Sequence, residues 1–200
     1  MTQKQPLRIY LAGPEVFLPD PIEAGRRKCA LALRYGFIGL YPLDAALTLD
    51  GQPKAEQARR ISAANEDLMR QADVLIANLT PFRGVSMDSG TAFEVGFMRA
   101  LGRPVLGYTN VMPDYATRAA AFRQRGFSTD DGDRLDLQVE DFDAAENLMI
   151  TCAIEASGAS VVRQTVAPGL EIEHLGGFEL CLQQLQRQML GTAAAPLHRL

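Results

Sequence analysis

The sequence predicts an α/β protein built on a doubly wound, mainly parallel sheet with helices on both faces. Three observations carry that prediction. Short apolar runs alternate with helical periodicity four times at short spacing, the pattern of successive βαβ units. The run at residues 74–79 is apolar apart from Asn78, as expected of a central parallel strand covered on both faces. Turn and cap residues, Gly13-Pro14, Asp20-Pro21 and Gly102 with Pro104, fall where one periodicity gives way to the other.

Residues 7–12 read as the first strand, ended by Gly13-Pro14. Asp20 is placed to cap, and Pro21 to open, a helix running to about residue 35. Residues 37–41 are a second strand, stopped by Pro42. The next helix covers residues 54–71, with an inward stripe of Ala58, Ile61, Asn65, Leu68 and Ala72 at spacings of three and four. Residues 74–79 are the third strand, 80–84 a loop, 89–101 a helix, and 105–108 the fourth strand. Residues 130–143 carry seven acidic side chains and one arginine. The EF-hand spacing is absent, so a solvated loop is favoured over a calcium loop. Residues 144–157 read as helical, 160–163 as a fifth, edge strand, and 178–190 as a final helix. The pattern therefore describes one flavodoxin-like, five-stranded domain over residues 1–192, with a frayed tail at 193–200.

Composition narrows the function. With 200 residues, 47% apolar and 22% charged, the chain is of ordinary globular make-up and large enough for one well-buried core. A net charge of −4 leaves no basic footprint for nucleic acid and little attraction to anionic membranes. Cys29, Cys152 and Cys181 are too few and too scattered for a disulfide framework or a metal knuckle; buried thiols in a reducing cytoplasm are expected. Two histidines, His174 and His198, exclude a His-rich metal centre, and a Ser-His triad unless His174 serves it. The start lacks the apolar stretch of a signal peptide, and no run of about 18 apolar residues offers a membrane span.

In open parallel sheets ligands bind beyond the carboxyl ends of the strands, which directs attention to residues 13–19, 42–44 and 80–88. GxGxxG is missing after the first strand. Gly84, Gly90 and Gly96 are followed by Phe97-Met98 where a P-loop needs Lys and Ser or Thr. The informative stretch begins at Asp88. Gly90 and Glu94 lie four apart on one helix face, and helical side chains lean toward the N-terminus, so the Glu94 carboxylate leans over an empty slot at Gly90. The partly positive helix start favours an ionised Glu94, and Asp88 supplies a second carboxylate. Two carboxylates beside one sugar can break a glycosidic bond through a covalent intermediate; an ordinary surface Glu and a capping Asp are the other reading. Asn65 sits within an apolar stripe, so its amide is either satisfied internally or faces a ligand. Tyr10 ends the first strand with a phenol near the same crevice, or is a buried core tyrosine.

Ile9-Tyr10-Leu11-Ala12-Gly13-Pro14 with Phe17 resembles the opening of nucleoside 2-deoxyribosyltransferases. So does Pro81-Phe82-Arg83-Gly84, followed by Asp88-Ser89-Gly90-Thr91-Ala92-Phe93-Glu94-Val95-Gly96. Glu146-Asn147-Leu148-Met149 resembles the stretch that this family lends to a neighbouring subunit's site. The similarity covers residues 7–110 and a short block at 139–150. It implies a transferase of deoxyribonucleoside salvage that exchanges the base of a 2′-deoxynucleoside for a free purine or pyrimidine. In that mechanism Glu94 attacks C1′, Asp88 shares a proton with the departing base and Tyr10 holds the Glu94 carboxylate. Gly13, Phe17, Asp44, Asn65, Arg83, Gly90, Asn147 and Met149 are the expected substrate contacts, Asn147 and Met149 coming from a partner copy in a homo-oligomer. No metal or organic cofactor is implied. Some members place Asp where this chain has Asn65, and residues 111–138 and 164–200 match nothing in the family pattern. Two alternatives stand beside this reading. One is a hydrolase of 2′-deoxynucleoside 5′-monophosphates, disfavoured because Glu15 and Asp20 follow the first strand with no cation before Arg26. The other is a non-catalytic nucleoside-sensing module.

Overall fold

The computed structural model describes residues 5–43, 49–124 and 138–194, the last five as backbone alone. Five strands form one sheet: β1 (Arg8–Ala12), β2 (Ile38–Leu40), β3 (Val74–Asn78), β4 (Val105–Thr109) and β5 (Val162–Arg163), in the order β2-β1-β3-β4-β5. Every pairing is parallel, so the sheet is wholly rather than mainly parallel. Tyr10 lies opposite Leu75, and Ala77 opposite Gly107. The helices are α1 (Pro21–Arg34), α2 (Lys54–Gln71), α3 (Ser89–Ala100), α4 (Tyr115–Gln124), α5 (Leu148–Glu155) and α6 (Gly176–Ala194), with a 3-10 turn at Pro14–Phe17.

The strand period of two divides the core. Ile9, Leu11, Ile76, Leu106 and Tyr108 face α1 and α6, where Leu31, Phe178 and Leu182 meet them. Tyr10, Ala12, Leu75 and Ala77 face the other way, toward Met69, Val95, Met98 and Ile154 of α2, α3 and α5. This alternation sends the Tyr10 side chain to the α3 side of the sheet. The caps form as the sequence predicts: Asp20 accepts from Glu23 N at 2.9 Å, and Asp88 from Thr91 N at 2.9 Å.

Several boundaries differ from the expectation. α2 packs only its C-terminal half: Leu68 is half-buried and Met69 and Ala72 buried, whereas Ala58 and Ile61 are exposed. An 18-residue helix is about 27 Å long and a five-residue strand about 17 Å, so the first turns of α2 overhang the sheet. α5 begins at Leu148, not residue 144, because Asn147 caps it and residues 144–147 run outside the helix. The edge strand shrinks to two residues. α6 opens at Gly176 and continues to Ala194, past the expected start of the tail; residues 195–200 lie outside the described residues. α4 was not expected at all; it arises within residues 111–138 where Asp114 accepts from Thr117 N at 2.7 Å. Of the three thiols expected to be buried, Cys181 is, Cys29 is half-buried and Cys152 is exposed. Among the described residues no helix is long and apolar enough to cross a membrane, and no group of three or more His, Cys, Asp or Glu is arranged to hold a metal.

Candidate active site

In the order β2-β1-β3-β4-β5 the chain leaves β1 toward one edge and β3 toward the other, so a crevice opens beyond their carboxyl ends. β1 ends there in Tyr10, Ala12 and Gly13. From the β3 side come the loop 80–87 and the start of α3, with Asp88, Gly90 and Glu94. The structure brings Tyr10 and Glu94 together across 84 positions of sequence: the phenol donates to Glu94 Oε1 at 2.6 Å.

The environment of Glu94 differs from the expectation of a carboxylate kept ionised by the helix N-terminus. Burial is the largest influence and raises its pKa from the ordinary carboxylate range to about 7. The Tyr10 hydrogen bond acts the other way; Asp88 raises it further, Lys28 lowers it and Glu15 raises it. Burial and the adjacent carboxylate push the Tyr10 phenol far above its usual range, so it remains a donor. The site thus holds a carboxyl group poised between its acid and its anion near neutrality, with one oxygen fixed and the other available.

Asp88 caps α3. Its Oδ2 accepts from Thr91 N at 2.9 Å and from Thr91 Oγ1 at 3.1 Å, which leaves Oδ1 outside these bonds. A side chain at Gly90 would bring a Cβ to 3.0 Å from that same Oδ2. The glycine therefore makes room for the Asp88 carboxylate itself, a second reason for its presence beside the expected slot for a sugar.

Phe17 is 53% exposed and stacks on Phe82 with ring centroids 5.2 Å apart. The Arg83 guanidinium lies over both rings, at 5.0 Å and 4.5 Å, from a backbone in the left-handed region at φ 56°. The loops after β1 and β3 thus meet through one aromatic and cationic cluster at the carboxyl edge of the sheet. Phe82, which sequence reading used only as part of a motif, belongs to this cluster. Asn65 is half-buried, and its Oδ1 is buried without a hydrogen-bond partner. Neither the internal partner nor the ligand contact that the sequence allows for this amide is met by that oxygen among the described residues. Asp44 lies outside the described residues.

Asn147 and Met149 have a local setting of their own. Asn147 Oδ1 accepts from Met149 N at 3.0 Å, its amide donates to Glu140 at 3.0 Å, and Met149 is 71% exposed. Glu140, counted in the sequence as part of an acidic solvated loop, therefore holds the start of α5; it also accepts from Leu148 N at 2.7 Å. Glu146 is buried and joins four partners: Ser86, Met87 N, Arg118 and Asn147 N. It ties the approach to Asp88 to the start of α5. The sequence marked it only as the first residue of the block at 146–149; this tying role was not legible, because its partners lie up to 60 positions away.

Glu15 was read as an anion of the loop after β1 with no cation before Arg26, and the structure turns it inward to a cation just beyond that point. It is 1% exposed, and Lys28 of α1, 0% exposed, reaches its Oε1 at 2.7 Å. The C-terminal segment that matched no family pattern covers the ends of β3 and β4. Asn78 donates to Ile172 O, and Asn110 to Glu171 O and His174 O. His174 is thus part of this strap and not of a triad. A cavity of about 540 Å³ between loop 80–85, α4 and Ile172 has Arg118 and Phe122 in its wall, and none of Tyr10, Asp88 and Glu94.

Comparison with known proteins bears directly on this arrangement. The family model described as nucleoside 2-deoxyribosyltransferase matches residues 9–149, a span that contains every candidate residue from Tyr10 to Met149. An uncharacterized protein of Schizosaccharomyces pombe (strain 972 / ATCC 24843) is 31% identical over 169 residues, covering 76% of this chain and 79% of its own. The solved structure of a 2-desoxiribosyltransferase from Leishmania mexicana is 35% identical with a TM-score of 0.55, covering 72% of this chain and 85% of that one. A conserved protein from Enterococcus faecalis V583 shares the fold at 18% identity and a TM-score of 0.55, over 90% of this chain and 99% of that one.

Proposed function

The chain belongs to the nucleoside 2-deoxyribosyltransferase family, and from that premise we propose that it exchanges the base of 2′-deoxyribonucleosides through a covalent deoxyribosyl-Glu94 intermediate. The observation that carries the proposal is the Tyr10–Glu94 pair at 2.6 Å, with Asp88 at the mouth of the same helix. A carboxyl group with a pKa of about 7 is present as the anion in a large fraction at neutral pH, yet it is poorly solvated and so a better nucleophile than a carboxylate in water.

Tyr10 holds Oε1, so Glu94 Oε2 attacks C1′ of the bound nucleoside. The bond to the base breaks as the new ester bond forms, and Asp88 delivers a proton to the departing base through Oδ1. A second base then attacks C1′ from the side the first one left. The Glu94 carboxylate leaves, and Asp88 takes back the proton that the incoming base loses. Two inversions amount to retention. Phe17 and Phe82 offer apolar ring faces to the base, Asn65 offers its unpartnered amide oxygen to a donor on the base, and Arg83 braces the two rings. Asn147 and Met149 complete the site of a neighbouring copy, which agrees with the exposure of Met149. Asp44, four positions after β2 in the sequence, is a further expected contact. Every step is carried by side chains of the chain itself and its copy.

The test is direct. A 2′-deoxynucleoside is incubated with and without a second free base, and chromatography follows both the new nucleoside and free deoxyribose. Exchange that depends on the second base is the expected result. Release of deoxyribose at the same rate with or without the acceptor would make the protein a hydrolase. Glu94→Ala is expected to abolish exchange in a folded protein; turnover near the wild-type rate in that variant would overturn the mechanism.

A further inference from the structure

Asp88 must stand at a fixed place to serve a departing base, yet its own helix secures only one of its oxygens, through Thr91. The three residues that lead the chain to Asp88 are held from outside their loop, by two side chains. Arg118 of α4 donates through Nε to Val85 O at 2.8 Å. Glu146, just before α5, accepts from Ser86 Oγ at 2.5 Å and from Met87 N at 3.2 Å. Met87 is itself buried, in the cluster that contains Tyr10 and Val95. The two side chains also hold each other, Arg118 Nη2 donating to Glu146 Oε2 at 2.9 Å. Arg118 Nη1 donates to Pro113 O at 2.8 Å and to Ala145 O at 2.9 Å. Asn147 N donates to Glu146 Oε1 at 3.0 Å. Each carboxylate oxygen of Glu146 thus accepts two bonds, which fills its acceptor positions. The pair is deeply set, with Glu146 0% and Arg118 10% exposed. A buried polar network with every member satisfied is rigid and specifies one arrangement. A buried ion pair is at the same time a poor source of stability, since apolar packing of the same volume does as well. Position, more than stability, is what this network supplies.

We propose that Glu146 and Arg118 are positioning residues for Asp88: together they fix residues 85–87, and so the place from which the Asp88 carboxylate meets the departing base. The inference rests on the reading of Asp88 as the proton donor. Two variants loosen the loop without stranding a buried charge. Arg118→Lys keeps a cation opposite Glu146, but a single ammonium in place of the planar fork cannot reach Val85 O, Pro113 O, Ala145 O and Glu146 together. Ser86→Ala removes one bond to Glu146 and leaves the ion pair intact. A displaced acid matters most where the base cannot leave without its proton.

The experiment compares both variants with the wild type in two ways. Amide exchange is followed by NMR, without substrate, at the Thr91 N–H, which Asp88 caps, and at the Glu23 N–H, a cap of the same kind made by Asp20 on α1. Thr91 should exchange about tenfold faster in Arg118→Lys, the worth of one hydrogen bond to a charged group, and faster in the same sense in Ser86→Ala, with Glu23 unchanged. Base exchange kcat/KM is then measured on a 2′-deoxynucleoside with an unactivated base and on one with a good leaving base. The first should lose about tenfold more than the second, within the 10²–10⁴-fold worth of a general acid. A pair that only stabilises the fold would lower melting temperatures and slow both substrates alike. Equal losses, where Asp88→Asn itself discriminates between the substrates, overturn the proposal, and so does a Thr91 N–H that exchanges as slowly as in the wild type. If Arg118→Lys fails to fold, Ser86→Ala decides. Absence of base exchange in the wild type would count against the proposed function, and the Thr91 result would then decide alone.

Discussion

Glu94 carries two consequences that can be separated by pH. Its carboxyl is raised to about 7 in the folded protein, chiefly by burial, whereas the unfolded chain titrates in the ordinary range. The folded state thus binds this proton more tightly. The stabilisation is fully present below the unfolded pKa and is lost as pH rises through about 7, a span worth about 3 kcal/mol. Glu94→Gln does not titrate, so it should melt above the wild type at pH 8, with the gap closing toward pH 4.5; thermal melts across that range check it. Exchange by the wild type should rise with pH through the same interval, since the anion attacks. Asp88 is a different case, for it caps α3 as well as serving the base. Asp88→Asn keeps an oxygen for the Thr91 N–H but has no transferable proton. It should slow loss of an unactivated base by about 10²–10⁴-fold and a good leaving base much less. Equal losses on both substrates, measured by steady-state kinetics, would reduce Asp88 to a cap.

At the scale of the element, the start of α3 is organised around one missing side chain. Gly90 costs helix stability, roughly 1 kcal/mol against Ala, and what occupies the space nearest it is the Asp88 carboxylate. Gly90→Ala should therefore leave the melting temperature unchanged or slightly raised while lowering exchange, because the new methyl pushes Asp88 Oδ2 aside. A large loss of stability with full activity would contradict this. The caps at Asp20 and Asp88 were legible in the sequence because a cap reaches only three residues along the chain. α4 was not: Tyr115, Arg118, Ala119 and Phe122 do share one face at spacings of three and four, but with an arginine in that stripe and alanines outside it the ten residues carry almost no amphipathic contrast. The overhang of α2 was equally illegible. A period of three and four states which face is apolar, but not how far along that face the sheet extends.

For the whole molecule, the exposed Met149, the overhanging Ala58 and Ile61, and the half-exposed Phe93 leave apolar surface that one copy does not cover. The active unit is expected to be at least a dimer by light scattering. A sharper check mixes two inactive proteins. If Asn147 serves a neighbour's pocket, Glu94→Ala and Asn147→Ala copies reassembled together form some sites with neither defect, and exchange should return in part. No recovery after verified exchange of subunits would place Asn147 in its own chain's site.

The sequence by itself determined the alternation of strands and helices, the parallel sheet, and the positions of Tyr10, Asp88, Gly90 and Glu94. Each of these is written in short-range signals: a period, a cap, or residues four apart on one helix face. The family resemblance already implied that Tyr10 holds the Glu94 carboxylate, and the structure shows that contact across 84 positions; only the tertiary structure decided that burial rather than the helix N-terminus sets the ionisation of that carboxyl. It also decided that Glu15 turns inward to Lys28, that Glu146 ties the approach to Asp88 to Asn147, and that Asn78 and Asn110 strap the C-terminal segment over the sheet. The reason is common to all of them. Desolvation and long-range pairing depend on which elements the chain brings side by side, and spacing along the chain holds no record of that.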